Sequence, residues 1–325
     1  MGLFSFWNLL KEVVGMLNES RKLFLKNKKL MFSVFVFSLL LNGLLYLFNV
    51  LTVTPEITNL TQDLNLLPTM DPSSPEYMAQ LMKVFADFRL FVVSSDIFNA
   101  VSFIINLLTV LAIVHATALT YKHENVKFKD FLVLILKSSK GPLVTSFYIS
   151  LFSLGYCLFF LIILFPILLS SLSIASLFSL VAKVFVLLVL FLLFASYLAI
   201  VWYLSMVISV LEGTYGIQAL GEAAKIVKGM KPKLFLLNIL FGLLIFGLAE
   251  IVTLVSVVVD RSQSFAVTIA TGLYLAVSTF VVMFLLMTYT VAYFQCKSPH
   301  GQDVESLRDV EYTTLPTTSL IGASP

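Results

Sequence analysis

The chain has 325 residues, 59% of them hydrophobic and 12% charged. A soluble domain carries about 25% charged residues and must cover itself with polar groups, so this composition excludes an ordinary globular protein and makes lipid the solvent for the surplus. A formal charge of +3 is too small to point to direct nucleic-acid binding, and two cysteines are too few for a disulfide framework.

Residues 1–29 read as a cytosolic amphipathic helix. Phe6, Leu10, Val13, Val14 and Leu17 recur at helical spacing over 3–25, and Lys26, Lys28 and Lys29 follow. Met1-Gly2 is no myristoylation signal, because Phe6 stands where Ser or Thr is required. The first charge-free run starts at Leu30 and is too long for a signal-peptide core, so it reads as a retained anchor.

Residues 30–296 read as a six-span membrane domain, because a span needs about 20 apolar residues. The charge-free runs place the spans at about 30–53, 97–120, 143–169, 178–211, 234–259 and 265–295. The long run between Gly141 and Leu211 must hold two of them, with Pro166, Ser170, Ser171 and Ser173 marking the turn. Segment 54–96 reads as a lumenal loop containing Pro55, Pro68, Pro72 and Pro75, with one short helix from Pro75 to Arg89. Residues 297–325 read as a disordered cytosolic tail.

Orientation follows from the basic residues. Segments 1–29, 121–142, 212–233 and 296–325 hold 17 of the 21 Lys and Arg. Lys83, Arg89 and Arg261 lie on the other side, which puts both termini in the cytosol. The sequon at Asn59 then becomes a glycosylation candidate, whereas the one at Asn18 is on the wrong side.

The fold class expected is all-α: six transmembrane helices plus cytosolic interfacial helices. An amphipathic stretch and a Lys-rich turn precede an outward span three times, at 3–29, 127–142 and 216–233. In the third, Ile217, Leu220, Ala224 and Val227 share one face. The pattern fits three helix-plus-hairpin repeats, and equally the basic, part-helical loops of any multi-span protein. Such helices suit the headgroup plane.

Chemistry-bearing residues are sparse. No metal, nucleophile or phosphate-loop motif is present, so no cofactor and no metal are expected. His115 and His123 read as polar residues near the interface. Lys183 and Glu250 lie inside consecutive spans at similar depth, either as a structural ion pair or as part of a substrate or proton path. Asn42 and Asn49 in the first span match Asn106 and Asn99 in the second if the two pack antiparallel, as interhelical glue or as a polar pathway. Cys296, at a membrane exit, is an acylation candidate. Tyr312 and Leu315 fit the tyrosine-x-x-apolar pattern that sorting adaptors read.

The stretch from Leu211 to Gly229 contains Glu212, Gly213, Tyr215, Gly216, Ala219, Leu220, Lys228 and Gly229. Together with Tyr293-Phe294-Gln295-Cys296-Lys297, it resembles a plant family of uncharacterised multi-span proteins, some labelled as binding a polyadenylate-binding protein. Residues 180–260 are also similar to the membrane domain attached to some bacterial glycerophosphodiester phosphodiesterases. The resemblance implies six spans and an endomembrane or plasma-membrane home, and it supplies no catalytic residues. Within the motif, Glu212 is expected near the N-terminal dipole of the following helix, with Gly213 and Gly216 loosening the backbone.

The function expected is that of a non-enzymatic membrane protein. Its cytosolic interfacial helices contact membrane lipids or protein partners, without direct contact to nucleic acid. The alternative is a transporter or channel for a small or lipid-like solute.

Overall fold

Each expected span falls within a long helical segment, and two of these segments extend well beyond it. The computed structural model describes residues 3–122, 128–169, 177–258 and 264–297, all-α with no strand among them. The helices are α1 (Leu3–Lys26), α2 (Lys28–Phe48), α3 (Thr54–Leu66), α4 (Pro75–Tyr121), α5 (Phe128–Lys137), α6 (Lys140–Leu169), α7 (Leu177–Leu211), α8 (Ile217–Val227), α9 (Lys231–Val258) and α10 (Ser264–Lys297). Six helical segments are long and apolar enough to cross a membrane. Five contain α4, α6, α7, α9 and α10, and the sixth runs from α2 into α3.

Local chemistry sets several helix starts. Asn27 caps α2 by accepting from the Leu30 N–H at 3.4 Å. Ser74 caps α4 by accepting from the Tyr77 N–H at 3.1 Å, with Pro75 at a first-turn position that needs no donor. Inside α6, Pro166 does not mark the turn expected there: the helix continues through it to Leu169. The serines of that expected turn lie outside the described residues.

The expected loop 54–96 is mostly helical. A π turn over Asn49–Val53 carries α2 directly into α3. That turn stands just before Pro55, whose ring would press on the carbonyl four residues back in a regular helix. α4 has 47 residues and is about 70 Å long, more than twice the roughly 30 Å hydrocarbon core. It runs unbroken from Pro75 through the second expected span. α3 and the first half of α4 form a helical hairpin at the end away from Tyr121, with Lys83 bonded to Asp63 at 2.9 Å.

The long helices converge at one end, here called the base. Tyr121 at the end of α4 stacks on Phe294 near the end of α10, with ring centres 4.4 Å apart. Lys233 at the start of α9 pairs with Glu12 of α1 at 2.9 Å. Gly141 at the start of α6 approaches the Ser209 carbonyl near the end of α7. The second helix of each long pair, α4, α7 and α10, touches the other two, forming an inner triangle. The first helices fill its corners: α2 touches α4 and α10, α6 touches α7 and α4, and α9 touches α10 and α7. Each short helix lies against the last long helix of the preceding pair, α5 on α4 and α8 on α7, while α1 lies on α10.

The core is concentrated at the base. Ala112, Ile200, Leu204, Ile208, Met287 and Tyr289 are all 1% exposed or less. The amphipathic helices dock on this core by faces that share only part of the apolar stripes read from the sequence. α1 buries Val13, Met16, Ser20 and Leu23 and leaves Val14 exposed. α8 buries Ala219, Ala223 and Val227, leaving Ile217 and Ala224 outside. Small alanines allow α8 to approach α7 closely, which decides the face over raw hydrophobicity.

Candidate functional site

The motif around Glu212 joins four helices at the base. α7 ends where the Glu212 N–H donates to the Ile208 carbonyl at 2.8 Å. Gly213 and Gly216 then take φ of 70° and 64°, the left-handed region that favours glycine. The Gly216 N–H donates to Thr145 Oγ1 of α6 at 2.9 Å, and a Cβ at Gly216 would sit 3.1 Å from the Tyr148 ring. The Glu212 carboxylate does not serve as a cap for α8. Its Oε1 accepts from Tyr293 Oη at 2.5 Å and from Lys297 Nζ at 3.0 Å, both on α10. With side chains of Glu212 and Lys297 only 21% and 17% exposed, this ion pair is largely withdrawn from solvent. The motif is a clamp tying α6, α7, α8 and α10 together. Ala219 is buried and Leu220 half-buried, while Lys228 and Gly229 are exposed.

Two cavities flank the clamp. One, of about 620 Å³, is lined by Glu212, Glu222, Lys225, Lys228, Cys296 and Lys297. Its charges largely answer one another, through Lys225–Glu222 at 2.9 Å and Lys297–Glu212. The other, of about 320 Å³, lies between the basal ends of α4, α5, α6 and α7. Its polar wall carries His115, Lys122, Lys137, Ser138, Lys140 and Tyr215, with no acidic residue among the described residues. His115 Nε2 is 2.6 Å from Ser138 Oγ, joining α4 to the end of α5. The sequence reading left His115 as an interface residue, because its neighbours in space come from separate segments.

A family model matches residues 9–311 and carries the description Domain of unknown function (DUF8558). The chain belongs to the DUF8558 family. No curated protein and no solved structure matches it.

The polar residues within the long apolar helices of this DUF8558 chain are arranged differently from the expected pairs. Asn238 of α9 donates to the Ser196 carbonyl of α7 at 3.1 Å, a register that puts Lys183 level with Glu250. Both of those residues are nonetheless exposed, and no ion pair joins them among the described residues. α2 and α4 do pack antiparallel, with Phe48 stacked on Phe98 at 6.2 Å, two residues off the register that pairs the asparagines. Asn42 donates to Thr279 of α10 at 3.4 Å, Asn106 to Ser102 at 3.3 Å, and Asn49 accepts from Thr54. Asn99 is exposed. No asparagine meets another across the hairpin, because Asn99 and Asn106 are turned outward.

Sequence reasoning missed the polar hub that does form. Asn238 Oδ1 also accepts from Tyr289 Oη of α10 at 2.8 Å, so one side chain binds α7, α9 and α10. The signal that could find it is Asn238 itself, an amide among the apolar residues of α9.

On the projecting DUF8558 hairpin, Asp63 accepts from Lys83 at 2.9 Å and from Gln80 at 3.0 Å. Hydrogen bonding with the Asp87 carboxyl, then with Lys83 and Gln80, holds the Asp63 carboxyl down to about 2. The same shared bond with Asp63 holds Asp87 above its ordinary value. Asn59 is exposed on α3. Cys296 is half-buried with its thiol against the Met230 sulfur. Tyr312, Leu315 and the expected disordered tail lie outside the described residues.

Proposed function

We propose that this chain is a multi-pass integral membrane protein of the endomembrane system or plasma membrane, with both termini cytosolic. It acts without catalysis, through interfacial helices that engage lipid headgroups and present a surface to protein partners. The observation carrying this reading is the shared construction of α1, α5 and α8. Each is docked at the base by one buried face, Val13 and Met16, Phe131 and Ile135, Ala219 and Ala223 respectively. Each also keeps large apolar side chains outside that face: Trp7, Val14 and Leu25 on α1, Val133 and Leu136 on α5, Ile217 on α8. Apolar groups that stay exposed beside lysines at a helix-packed base suit the boundary between acyl chains and headgroups. The cyclic packing of three short helices and three long pairs supports three related units. The transport alternative has less support, because the inner triangle is packed with fully buried Ala112, Ala116, Ile200 and Met287 at the base. Lys183 and Glu250 lie on the outer surface rather than around a path.

The test is the depth of Trp7. In a Trp202→Phe variant reconstituted in vesicles, Trp7 fluorescence is expected to be quenched by shallowly brominated lipid more than by deeply brominated lipid or by aqueous iodide. Quenching by iodide alone would place α1 in water and sink the interfacial reading.

A further inference from the structure

Of the two basal cavities, the one beside His115 has the larger uncompensated charge: in the other, Glu222 and Glu212 answer Lys225 and Lys297, which leaves Lys228 alone among the described residues. Lys122, Lys137 and Lys140 line it, and none of the three has an ion-pair partner among the described residues. Glu212 stands next in sequence to two wall residues, but its carboxylate is committed to Tyr293 and Lys297. Helix ends modify this balance. The carbonyl ends of α4, α5 and α7 reach the wall and contribute together about −1.5 charges, while the first turn of α6 contributes about +0.5. Set against three lysines, a net charge of about +2 remains around the space. A phosphate monoester carries about −1.5 to −2 and three acceptor oxygens. It matches both the charge and the mix of lysine and hydroxyl donors offered here.

The size also fits. About 320 Å³ lies at the small end of ligand pockets, enough for a phosphate-bearing headgroup and too small for a whole lipid. Lys137, Lys140 and Tyr215 are exposed at the mouth, while His115 and Ser138 close the inner wall through their 2.6 Å contact. Gly141 keeps the passage between α6 and α7 narrow, since a Cβ there would lie 3.4 Å from the Ser209 carbonyl. Ligands therefore enter from the base.

We propose that this cavity binds a phosphate monoester, carried either by a membrane lipid headgroup or by a small soluble molecule. The inference rests on the cytosolic, headgroup-level placement of the base argued above, and it adds a chemical class and a site to that reading. Lys137 and Lys140 hold the phosphate at the mouth. Lys122 and the Ser138 hydroxyl complete the donor set inside.

The purified full chain in neutral detergent is titrated with dioctanoyl phosphatidic acid, a monoester, and with dioctanoyl phosphatidylserine, an anionic diester. Inorganic phosphate serves as competitor. Phosphatidic acid is expected to bind the parent more tightly than phosphatidylserine. The Lys137→Gln/Lys140→Gln variant is expected to weaken it by about tenfold or more, since charge-assisted bonds to phosphate are lost. The Lys137→Arg/Lys140→Arg variant keeps binding, and so does Lys26→Gln/Lys28→Gln/Lys29→Gln at another corner of the base. Unchanged melting temperatures establish that the glutamine pair is folded. Displacement by inorganic phosphate supports the site with a soluble source, and binding that only the lipid achieves supports it with a membrane source. Equal affinity for both lipids, or parent-like binding by the glutamine pair, overturns the cavity. Loss confined to the Lys26, Lys28 and Lys29 variant overturns the cavity while leaving general headgroup contact intact, and a shallow Trp7 with no phosphate binding has the same meaning.

Discussion

The same six long helices behave differently at their two ends. At the base, each contributes buried side chains: Met31 and Val34 from α2, Ala112 and Ala116 from α4, Thr145 from α6, Ile200 and Leu204 from α7, Leu237 from α9, Met287 and Tyr289 from α10. Toward the distal ends, α6 beyond Thr145 and α7 before Ile200 bury no described residue, and Phe152, Phe159, Val186 and Leu193 are exposed. Hydropathy does not separate the two regions, because both are apolar. Lipid is as apolar as leucine, so helices associate in a membrane through close packing and hydrogen bonds. The base has both, in Ala112, Ala116, Ala219 and Ala223 and in the bonds of Asn238, Glu212 and Ser20 to α10. The distal half has few such devices, one being Tyr156 Oη of α6 donating to the Phe191 carbonyl at 2.6 Å. The base is the part built to hold a shape, and the distal half leaves its apolar side chains exposed.

The largest expected break in that comparison comes from truncating one leucine in each region. Leu204→Ala removes a side chain 1% exposed in the inner triangle and is expected to cost about 2–5 kcal/mol. Leu193→Ala removes one that is 45% exposed, where lipid fills the space, and is expected to fall within about 0.5 kcal/mol of the parent. Unfolding of the purified protein in mixed detergent measures both. Similar losses at the two sites would show that the distal ends pack as tightly as the base.

A smaller loss is expected at the clamp. Glu212→Ala leaves Lys297 without its carboxylate and Tyr293 without its acceptor, in a site about one-fifth exposed. The cost expected is about 2–3 kcal/mol, because an unpaired charge in a largely dry place loses more than the pair contributes. Adding Lys297→Met should recover part of it. No recovery in the double variant would mean that Glu212 acts through α7 and its turn rather than through α10.

The comparison also explains what the sequence made legible. The number of long apolar helices is readable, because lysines and charge-free runs mark them along the chain, but their extent is not: α4 begins at Pro75 rather than near 97. Rotation about the axis is not readable either. Hydrophobicity does not mark the faces by which α1 and α8 dock: Val14 and Ile217 of the apolar stripes stay exposed, while Ser20 and Ala219 go inside. In lipid, hydrophobicity no longer marks the interior, and small size with hydrogen bonding does. The same error put Asn106 in the hairpin interface, although the register was nearly right. The prolines misled differently. Pro55 reads as a loop signal, but the π turn before it lets the helix continue into α3, and the helix that starts at Pro75 runs on past Arg89 to Tyr121. The phosphate-sized cavity was illegible because His115, Lys122, Lys137, Lys140 and Tyr215 meet only after four helices converge.

The smallest effect expected lies farthest from the base, in the projecting hairpin of α3 and α4. Its tie is a carboxyl pair, Asp63 and Asp87, with Lys83 between them in charge. Asp63 is held down to about 2, first by its bond with Asp87 and then by Lys83 and Gln80. Its contribution is therefore present above the ordinary carboxylate range and is lost as pH falls through about 2. Asp87 is held above its ordinary value, first by the bond with Asp63 and then by burial. Its contribution is full below the ordinary range and is lost as pH rises through the raised value. Asp87 Oδ2 is buried and has no hydrogen-bond partner in the structure, so a proton there costs less than a charge. The two slopes make the hairpin tightest in mild acid and looser toward neutral pH. Lys83, 60% exposed, keeps the change small by screening the pair with solvent at its side. Amide exchange across 58–66 and 80–90, corrected for intrinsic pH dependence, should slow on acidification from neutral pH in the parent. Asp87→Asn supplies a donor at every pH and should remove that slope while keeping the hairpin closed. A parent whose corrected exchange does not change between neutral and mildly acid pH would show that the two carboxyls share no proton, and that Lys83 and Gln80 alone hold α3 against α4.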